Sequence, residues 1–469
     1  MKLHNTLSGR VEEFVPLVPG HVGLYVCGVT VYDRSHIGHA RAMVTFDVLY
    51  RYLLHSGYQV KFVRNFTDVD DKIILRASKT GVPALELAEA NIRSFAEDVK
   101  VLGCAQPTIE PRATQHIPEM ISLIRQLIDK GLAYPAGGDV YSAVDKFEGY
   151  GKLSKRKLDD MLAGSRIEVD ERKRHPMDFA LWKATKPGEP VWDSPWGPGR
   201  PGWHIECSAM CETHLGQPFD IHGGGTDLIF PHHENEIAQS EGAHARPFAR
   251  YWVHNGMVSV GQEKMSKSLG NFLTVQEGAA RVGGEALRLF TLGTHYRSPL
   301  EHSDERLEEA GRGLVRIYET LARADEATGA WKAESDAEVV LQFRQAMDDD
   351  LNTARVIGII YETVRAINRE LDQRGSLEQV AAWRRALGEI GSVIGIMRVR
   401  PSEYLARRRD EHLEEAALTA AQIEALIAER QAARKSKDFK RADEIRQELK
   451  AKGVVLEDSA GVTSWRVER

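Results

Sequence analysis

The chain contains 469 residues, of which 42% are hydrophobic and 28% charged, and its formal net charge is −6. About two to four domains are expected, because a single hydrophobic core does not grow to this length. The acidic total disfavours a protein that coats nucleic acid, although a local basic face remains compatible with it. No apolar run approaches the ~18 residues of a membrane span, and the first six residues lack a hydrophobic signal core. We therefore expect a cytosolic protein that does not span a membrane.

The chain contains four cysteines, namely Cys27, Cys104, Cys207 and Cys211. They are too few for a disulfide scaffold in a chain of this length. Reduced thiols or a metal site are the better prediction.

A buried strand is predicted at residues 23–31, where β-branched and apolar side chains are bounded by glycine and aspartate. A helix is predicted at residues 40–54, because apolar side chains recur there at helical spacing. His36, Gly38 and His39 therefore lie where a strand leads into a helix N-terminus. Backbone N–H groups and the helix dipole face an incoming anion at such a place, and two imidazoles add donors. The pattern predicts a phosphate-binding site, with surface or capping histidines as the alternative.

A second strand, predicted at residues 60–66, completes a strand–helix–strand unit. Such a unit implies a parallel sheet that binds ligands at the carboxyl ends of its strands. Cys27, His36 and Thr67 are all expected near that edge.

The pattern changes from Ala133 onward to short strands and loops, and residues 187–202 contain five prolines and four glycines. Such a composition does not sustain a helix or a central strand, so we interpret residues 120–200 as an insertion. Strands at residues 219–222 and 252–258 resume the α/β pattern. Helices are predicted at residues 85–102, 117–130, 232–241, 285–292, 304–323, 337–351, 354–371, 377–394 and 420–447, and a two-stranded finish at 453–466.

Cys27, Cys207, His232 and Glu236 form a candidate metal site. The last two are four residues apart on a predicted helix, so both side chains project from one face. Two thiolates, an imidazole and a carboxylate are a reasonable ligand set for Zn²⁺. Spacing alone leaves alternatives open, because the cysteines also suit a helix core and neighbouring donors compete, namely Cys211, His233 and Glu234.

The segment Lys264-Met265-Ser266-Lys267-Ser268 places two lysines in a loop flanked by glycine and serine. Ammonium groups on a mobile loop are suited to charge that develops on pyrophosphate in a transition state. If the segment stood alone, solvated surface lysines would be the ordinary interpretation.

The His36–His39 and Lys264–Ser268 segments resemble, in this order, the two signatures of the class I aminoacyl-tRNA synthetases. With the strand that bears Cys27 and the segments 203–210 and 219–236, they resemble the cysteinyl-tRNA synthetase family over nearly the whole chain. The resemblance implies an α/β fold: a Rossmann-type doubly wound parallel sheet with a connective insertion, then an α-helical bundle and a small C-terminal α+β anticodon-binding end.

The implied domains are the first half of the catalytic domain (1–119), the connective insertion (120–200), the second half of the catalytic domain (201–260), a signature-loop and stem-contact region (261–310), a helical bundle (311–400) and a C-terminal anticodon-binding domain (401–469).

The resemblance also implies one Zn²⁺ in the amino-acid pocket, with Cys27, Cys207, His232 and Glu236 as its ligands. Serine is nearly isosteric with cysteine, and an apolar pocket separates such analogues poorly. Zn²⁺ binds a thiolate far better than a hydroxyl and favours deprotonation of the thiol. We therefore expect the amino acid to be selected at binding, without an editing domain.

The implied reaction is ATP-dependent activation of L-cysteine to cysteinyl-adenylate, followed by transfer to the 3′-terminal adenosine of cysteine tRNA. Catalysis of this kind relies on positioning and charge stabilisation, with Mg²⁺ accompanying ATP. The expected partners are ATP, L-cysteine and cysteine tRNA, and the expected state is a cytoplasmic monomer.

The implied site residues fall into three overlapping groups. Catalytic roles fall on His36, His39, Lys264 and Lys267; ATP contacts on His36, His39, Gly224, Asp227 and Lys267; and cysteine contacts on Tyr25, Gly28, Thr30, Thr67 and Trp203. Each cysteine-contact residue equally suits a core or turn position, and Gly-Gly-Gly-Thr-Asp at 223–227 is also a good turn.

A modest basic stripe lies between Arg434 and Arg446, where six cations face three anions. It is suited to phosphate contacts, and a solvated helix with i,i+4 pairs is the alternative. Trp465 either stacks on a base or fills the core of the small C-terminal domain.

Three other functions are alternatives. An amino-sugar ligase of mycothiol synthesis uses the same adenylate chemistry, but such ligases look like a synthetase without the anticodon domain, so residues 400–469 argue against it. A non-catalytic tRNA- or partner-binding paralogue is disfavoured by the intact signatures and ligands. Lys72–Arg76 resembles a segment linked to pyridoxal-phosphate-dependent cysteine persulfide formation, and a helix start is its other interpretation.

Overall fold

The computed structural model describes residues 1–158, 171–260, 263–264, 272–329, 333–415, 419–459 and 462–467. Their strands are, in chain order, β1 (Lys2–Asn5), β2 (Arg10–Glu13), β3 (His21–Thr30), β4 (Gln59–Thr67), β5 (Ala133–Ala136), β6 (Asp139–Ser142), β7 (Phe179–Ala184), β8 (Gly199–Pro201), β9 (Phe219–Gly225), β10 (Ala249–Asn255), β11 (Val258–Val260), β12 (Glu263–Lys264), β13 (Leu300–His302), β14 (Val454–Ser459) and β15 (Val462–Val467). Their α-helices are α1 (Ile37–His55), α2 (Asp71–Thr80), α3 (Ala84–Val101), α4 (Ile117–Asp129), α5 (Trp203–Leu215), α6 (Glu234–His244), α7 (Val275–Val282), α8 (Gly284–Leu292), α9 (Asp304–Thr328), α10 (Ala337–Asp348), α11 (Thr353–Asp372), α12 (Leu377–Ile394), α13 (Pro401–Glu415), α14 (Ala420–Lys435) and α15 (Phe439–Ala451).

A four-stranded parallel sheet in the order β10-β9-β3-β4 carries the α/β part of the chain. Helix α1 connects β3 to β4, and the chain later adds β9 and β10 on the other side of β3. The predicted Rossmann-type α/β fold is confirmed. Ligands bind outside the carboxyl ends of such strands, where the strand order reverses, so a site is expected between β3 and β9.

A bulge interrupts β3 near its carboxyl end, where the register with β4 shifts between Val26 and Val29. The Gly28 N–H donates to Asn65 Oδ1 at 2.8 Å, and a Cβ added at Gly28 would lie 1.6 Å from the Asn65 carbonyl oxygen. Only glycine therefore permits this close approach. Because a bulge re-aims neighbouring side chains, it determines the direction of Cys27 at the strand end.

Helix α1 begins three residues before the predicted start, because His36 caps it. Its buried face includes Phe46, Leu49 and Leu53, which is the apolar stripe that predicted the helix. The sheet therefore supports α1 along its length and places its N-terminus at the carboxyl edge of β3.

The predicted insertion contains an antiparallel sheet in the order β5-β6-β7-β8. Trp182 of β7 belongs to one hydrophobic cluster with Leu123 of α4 and Ile205 of α5. The insertion thus packs on the same core as the helix that carries Cys207.

A second small sheet follows β10, with the strand order β12-β11-β13. Strand β11 pairs antiparallel with β12 and parallel with β13. Lys264 lies in β12, so this sheet forms the base of the lysine-bearing segment.

A buried ion pair ties α8 to α1. The Arg288 guanidinium pairs with Asp47 and donates to the Ile394 carbonyl at 2.6 Å. Burial opposes ionisation of Asp47, but Arg288 and Arg51 lower the pKa of its carboxyl below the usual value. The pair is therefore charged in the folded protein.

The described residues divide into two compact units. The first comprises Met1–Ala310, Ala337–Ile360 and Glu389–Ile396, and the second Gly311–Asp336, Tyr361–Gly388 and Met397–Arg469. Within the second, the β14–β15 hairpin covers a small core of α14 and α15 side chains. Trp465 packs against this core and donates its indole N–H to Glu424 at 2.7 Å.

No helix among the described residues is both long and apolar enough to cross a membrane.

Replacing Arg288 by methionine is expected to lower the free energy of unfolding by about 3 kcal/mol, since the buried Asp47 carboxylate loses a partner. Urea denaturation followed by tryptophan fluorescence measures this change. The control is Arg281→Ala, which removes an exposed pair with Asp304 and is expected to cost at most about 1 kcal/mol. Equal losses in the two variants would contradict a special role for the buried pair.

Candidate active site and metal centre

A cavity of about 350 Å³ lies at the carboxyl ends of β3, β9 and β10. It is open to solvent between the start of α1 and the residues that follow β9 and β10. The predicted site residues that line it are Cys27, Gly28, Thr30, His36, His39, Trp203 and Asp227.

The four predicted metal ligands converge beside this cavity. Cys27 comes from the bulge of β3, Cys207 from α5, and His232 and Glu236 from α6 and the turn before it. The Cys27 Sγ atom lies 3.6 Å from Cys207 Sγ and 3.4 Å from Glu236 Oε1. His232 Nε2 lies 3.0 Å from the same carboxylate oxygen. Four donor atoms from three parts of the chain therefore surround one point.

The donor spacing fits a tetrahedral zinc ion. With Zn–S bonds of about 2.3 Å and Zn–N or Zn–O bonds of about 2.0–2.1 Å, the donor atoms of a tetrahedron lie roughly 3.3–3.8 Å apart. The three measured distances are close to these edges. Two sulfurs with one nitrogen and one oxygen also match the ligand preferences of Zn²⁺. The residues therefore fit the metal that the resemblance implies.

A second set of donors, consisting of Cys27, His222, His233 and Glu236, overlaps the first. His222 Nε2 is 2.8 Å from Glu236 Oε2, the oxygen that the first set does not use, and His233 Nε2 is 3.3 Å from Cys27 Sγ. Both separations are hydrogen-bond distances. Because the first set offers two sulfurs to Zn²⁺, we interpret His222 and His233 as donors that support its ligands.

His232 is held in one orientation by its surroundings. Its Nδ1 lies 3.0 Å from His204 Nδ1, and its ring stacks on Trp203 with centroids 4.3 Å apart. With Nε2 directed at Glu236, the Nδ1–H of His232 donates to His204. Such a hydrogen bond fixes the tautomer of a ligand histidine. Since Trp203 also lines the cavity, one indole ring connects the metal cluster to the substrate side.

Cys207, His232 and Glu236 are buried and Cys27 is half-buried, and the charges of the cluster compensate one another. Burial raises the pKa of the Cys27 thiol well above its usual range, and the hydrogen bond that Cys27 donates lowers the pKa of Cys207 to about 6. Burial disfavours a charged His232, but Glu236 and Cys207 raise its pKa to about 10. Burial likewise opposes ionisation of Glu236, yet two histidines hold its pKa well below the usual range. Metal binding must therefore displace protons from a thiol and an imidazole.

His36 and His39 present ring donors at the start of α1. His36 Nδ1 accepts from the Gly38 N–H at 3.0 Å, and His39 Nδ1 accepts from the His36 N–H at 3.1 Å. Each neutral ring therefore carries its proton on Nε2. The two rings stack with centroids 3.9 Å apart. Two ring N–H donors and the helix dipole together favour an anion in the adjoining cavity.

Three of the residues predicted to contact cysteine or ATP are not among the described residues that line the cavity. Tyr25 is fully buried in the hydrophobic core, and Thr67 donates its hydroxyl proton to Glu206 Oε2 at 2.8 Å. Gly225 rather than Gly224 lines the cavity, and a Cβ added at Gly224 would clash with a buried histidine ring. These three residues therefore shape the site from behind its surface.

The predicted lysines are only partly described. The backbone of Lys264 pairs with Ser259 of β11, and Lys267 lies outside the described residues. Lys72, predicted only for a side activity, lines the cavity, with its Nζ 5.8 Å from the ring centroids of both Tyr32 and Trp203.

Sequence reasoning missed the residues that surround the ligands. Nothing in the sequence singles out His204 or His222 except their place beside a cysteine and at a strand end. The sequence offers His233 only as a competing ligand, whereas its ring lies within hydrogen-bond distance of Cys27. The density of histidines between residues 204 and 254 is the signal that was available.

Family comparisons divide the chain into three parts. Residues 13–312 match the family described as tRNA synthetases class I (C) catalytic domain, residues 342–398 match a DALR domain, and residues 417–466 match the cysteinyl-tRNA ligase anticodon binding domain.

Relatives of known name match over the full length. A cysteine–tRNA ligase of Geobacter sulfurreducens is 56% identical over 480 residues, covering 100% of both chains. One from Syntrophotalea carbinolica is 54% identical over 477 residues, covering 99% of both.

Solved structures share the fold at low identity. A Mycobacterium tuberculosis methionyl-tRNA synthetase in complex with methionyl-adenylate has a TM-score of 0.58 at 15% identity, over 80% of this chain and 89% of that one. A LeuRS of Agrobacterium radiobacter in a ternary complex with tRNA and LeuAMS has a TM-score of 0.60 at 12% identity, over 83% and 87%.

The parallel sheet, the capped helix at its carboxyl edge and the catalytic-domain match define a class I aminoacyl-tRNA synthetase. An amino acid, ATP and tRNA are the partners of that class of enzyme. Within it, the anticodon-domain match and the full-length relatives distinguish one specificity. The chain belongs to the cysteine–tRNA ligase family, and it is an enzyme that joins cysteine to tRNA. The amino-sugar ligase alternative is not favoured.

Zinc binding should distinguish the two overlapping donor sets. Cys207→Ser is expected to abolish stoichiometric zinc, because it removes a sulfur ligand of the first set. His222→Asn is expected to retain one zinc per chain with affinity reduced roughly 10- to 100-fold, as for loss of a residue that supports a ligand. Elemental analysis and competition with a chromogenic chelator measure both.

Cys104→Ser is the matched control for these variants, because Cys104 lies outside both donor sets. It should retain zinc at the wild-type affinity. Full zinc content in Cys207→Ser together with loss in His222→Asn would instead assign the metal to the second set.

Proposed function

We propose that the chain activates L-cysteine with ATP at this cavity and transfers it to the 3′-terminal adenosine of cysteine tRNA. A carboxylate oxygen of cysteine attacks the α-phosphorus of ATP, and the bond to pyrophosphate breaks. A ribose hydroxyl of the tRNA then attacks the acyl carbon, releasing AMP and the hydroxyl proton. The observation that carries the proposal is the buried two-sulfur cluster beside the paired His36 and His39.

In the first step the Cys27, Cys207, His232 and Glu236 side chains would hold Zn²⁺ in the amino-acid pocket. When bound, the ion would supply a soft Lewis acid that favours a thiolate over a hydroxyl, which would separate cysteine from serine. The protein's part is to exclude water and to fix the ligands. Trp203 contacts both the metal ligands and the substrate cavity, because its ring stacks on His232 and also lines the cavity.

The rest of the amino-acid pocket is assigned to five residues. Gly28 and Thr30 line the cavity with Trp203 and are suited to direct contact with cysteine. Tyr25 and Thr67 support the pocket from the buried side. Their backbones belong to the paired strands β3 and β4, so the pocket wall is rigid before the substrate arrives, which lowers the entropic cost of orientation.

ATP is assigned to the opposite wall of the cavity. His36 and His39 are suited to donate from Nε2 to phosphate oxygens at the start of α1. Asp227 is suited to accept hydrogen bonds from ribose hydroxyls. Gly224 has no side chain, so the backbone before Asp227 packs closely against its neighbours. Mg²⁺ would accompany the phosphates, in keeping with its preference for phosphate oxygens.

Lys264 and Lys267 are proposed to neutralise charge that develops on pyrophosphate as it leaves. Removal of a comparable electrostatic donor from other enzymes costs roughly 10²- to 10³-fold in kcat. Strand β12 brings Lys264 to the end of the small sheet next to the cavity-lining residues 256–258.

A monomer suffices for this chemistry, because one chain supplies a complete donor set and the cavity wall.

The four cysteines are free thiols, and thiols that must hold a metal require a reducing compartment. We therefore place the reaction in the cytoplasm.

The second unit is proposed to bind the anticodon region of the tRNA. In the basic stripe, Arg434 and Arg441 pair with Asp458 and Glu429. Lys435, Lys440 and Arg446 are exposed and make no ion pair among the described residues. These cations, at the end of α14 and along α15, are suited to phosphate contacts.

Esterification of labelled cysteine to purified cysteine tRNA, with ATP and Mg²⁺, tests the proposal directly. The zinc-loaded enzyme is expected to charge the tRNA. After chelation the charging rate should fall below about 1% of that value, because the substrate thiol loses its ligand. The rate should recover when zinc is added back. Charging that persists in enzyme shown by elemental analysis to lack zinc would refute the metal's role. Cysteine-dependent ATP–pyrophosphate exchange without any charging would mean that the acceptor is not the tRNA hydroxyl but another group, such as the amine of an amino sugar.

Replacing Lys435, Lys440 and Arg446 by glutamine is expected to weaken tRNA binding roughly tenfold near 0.1 M salt. The slope of log affinity against log salt should become less steep by about one unit for each phosphate that the variant no longer neutralises. Filter binding over a salt series measures both quantities, and cysteine-dependent ATP–pyrophosphate exchange should be unchanged.

The control replaces three exposed lysines of the first unit, Lys79, Lys100 and Lys146, which removes the same charge from another surface. An equal loss of tRNA affinity in this control would mean that total charge, rather than the basic stripe, governs binding.

A further inference from the structure

Arg41 is a buried cation held by backbone carbonyls alone. Its side chain is 1% exposed. Its Nε donates to the Gly256 carbonyl at 3.1 Å and its Nη1 to the Thr291 carbonyl at 3.1 Å. Its Nη2 donates to three further carbonyls, of His295 at 2.9 Å, Tyr296 at 3.2 Å and Ser298 at 2.7 Å. All three guanidinium nitrogens are therefore engaged with the backbone.

No carboxylate pairs with Arg41 among the described residues. A buried guanidinium without a counterion is costly, and burial alone lowers the pKa of Arg41 to about 10. By contrast, the equally buried Arg288 pairs with Asp47. A carbonyl cage of this kind specifies the geometry of the backbone that forms it, because the planar fork permits few arrangements.

Two of the five carbonyls that accept from Arg41 lie next to the small sheet that contains Lys264. Gly256 precedes β11, and Ser298 precedes β13, the strand that pairs with β11. Strand β11 in turn pairs with β12, which contains Lys264. Arg41 itself lies two residues after His39. One side chain therefore links the helix that follows His36 and His39 to the backbone next to β11 and β13.

The close approach of Gly256 to Ser298 supports the same interpretation. A Cβ added at Gly256 would lie 2.4 Å from the Ser298 carbonyl oxygen and 2.8 Å from that of Arg297. Gly256 also lines the cavity. The contact between Gly256 and Ser298, which Arg41 bridges, is thus part of the cavity wall assigned to the nucleotide. It is packed too tightly to tolerate a methyl group.

We propose that Arg41 is a positioning residue for adenylate formation: it sets the distance between the His36–His39 segment and the small sheet that carries the Lys264–Lys267 segment. It contacts neither substrate in this account and acts through the backbone at Gly256 and Ser298. The inference rests on the proposed roles of these two segments and adds the element that aligns them.

Arg41→Lys keeps the charge but removes the fork. It is expected to lower kcat of cysteine-dependent ATP–pyrophosphate exchange roughly 10- to 100-fold, since small misplacements of groups that act in a transition state have effects of this size. The KM for cysteine should remain within about twofold of the wild type, because the metal cluster lies on other elements. Amide hydrogen exchange at residues 256–260 and 298–302 should become faster.

Arg288→Lys is the matched control, since it shortens another fully buried arginine that also contacts α1. It is expected to destabilise the protein without changing the KM for cysteine or accelerating exchange at residues 256–260. Gly256→Ala disturbs the contact between Gly256 and Ser298 without altering Arg41. It should reproduce the loss of kcat, and it keeps the test decisive if Arg41→Lys fails to fold.

Equal loss of kcat in Arg41→Lys and Arg288→Lys at matched stability would overturn the proposal, as would unchanged amide exchange at residues 256–260 in Arg41→Lys. A wild-type enzyme without cysteine-dependent exchange would instead refute the proposed function. The amide-exchange comparison needs no activity, so it tests the role of Arg41 on its own.

Discussion

The carboxylate of Glu236 is the charge on which the site depends. It is 0% exposed, and a buried carboxylate is tolerated only when it is paired and hydrogen-bonded. One oxygen faces His232 and Cys27, and the other accepts from His222. These partners come from β3, β9 and the start of α6. Satisfying one buried charge therefore fixes three elements against each other, and with them the donor atoms of the metal site.

The parallel sheet explains why two different chemistries share one cavity. The carboxyl end of β3 carries Cys27 on its bulge and then leads directly to His36 and the start of α1. A candidate soft-metal ligand and a candidate anion site thus lie a few residues apart on the same strand-to-helix connection. In the proposed function this arrangement holds amino acid and nucleotide on opposite walls, so that a carboxylate meets a phosphorus without a covalent intermediate.

Alignment of the two segments proposed to bind phosphate is a separate problem, because they are more than 200 residues apart in sequence. The buried arginines of α1 and α8 divide the task. Arg288 joins the helices through a charged pair, whereas Arg41 reaches past its own helix to the backbone at Gly256 and Ser298. Because carbonyl groups are neutral, these contacts fix the position of Arg41 without adding a carboxylate that would compete with phosphate for nearby cations.

The sequence by itself predicted the periodic elements and the candidate site residues. Helix α12 spans the predicted residues 377–394, because its apolar stripe has a clear 3.6-residue period. Helix α5 was not predicted, since residues 205–211 are buried on every side and show no such period. Contacts such as His204 to His232 and the cage around Arg41 join residues distant in sequence. Only the tertiary structure decided them, because hydrogen-bond partners are chosen by where the packed elements bring their polar atoms.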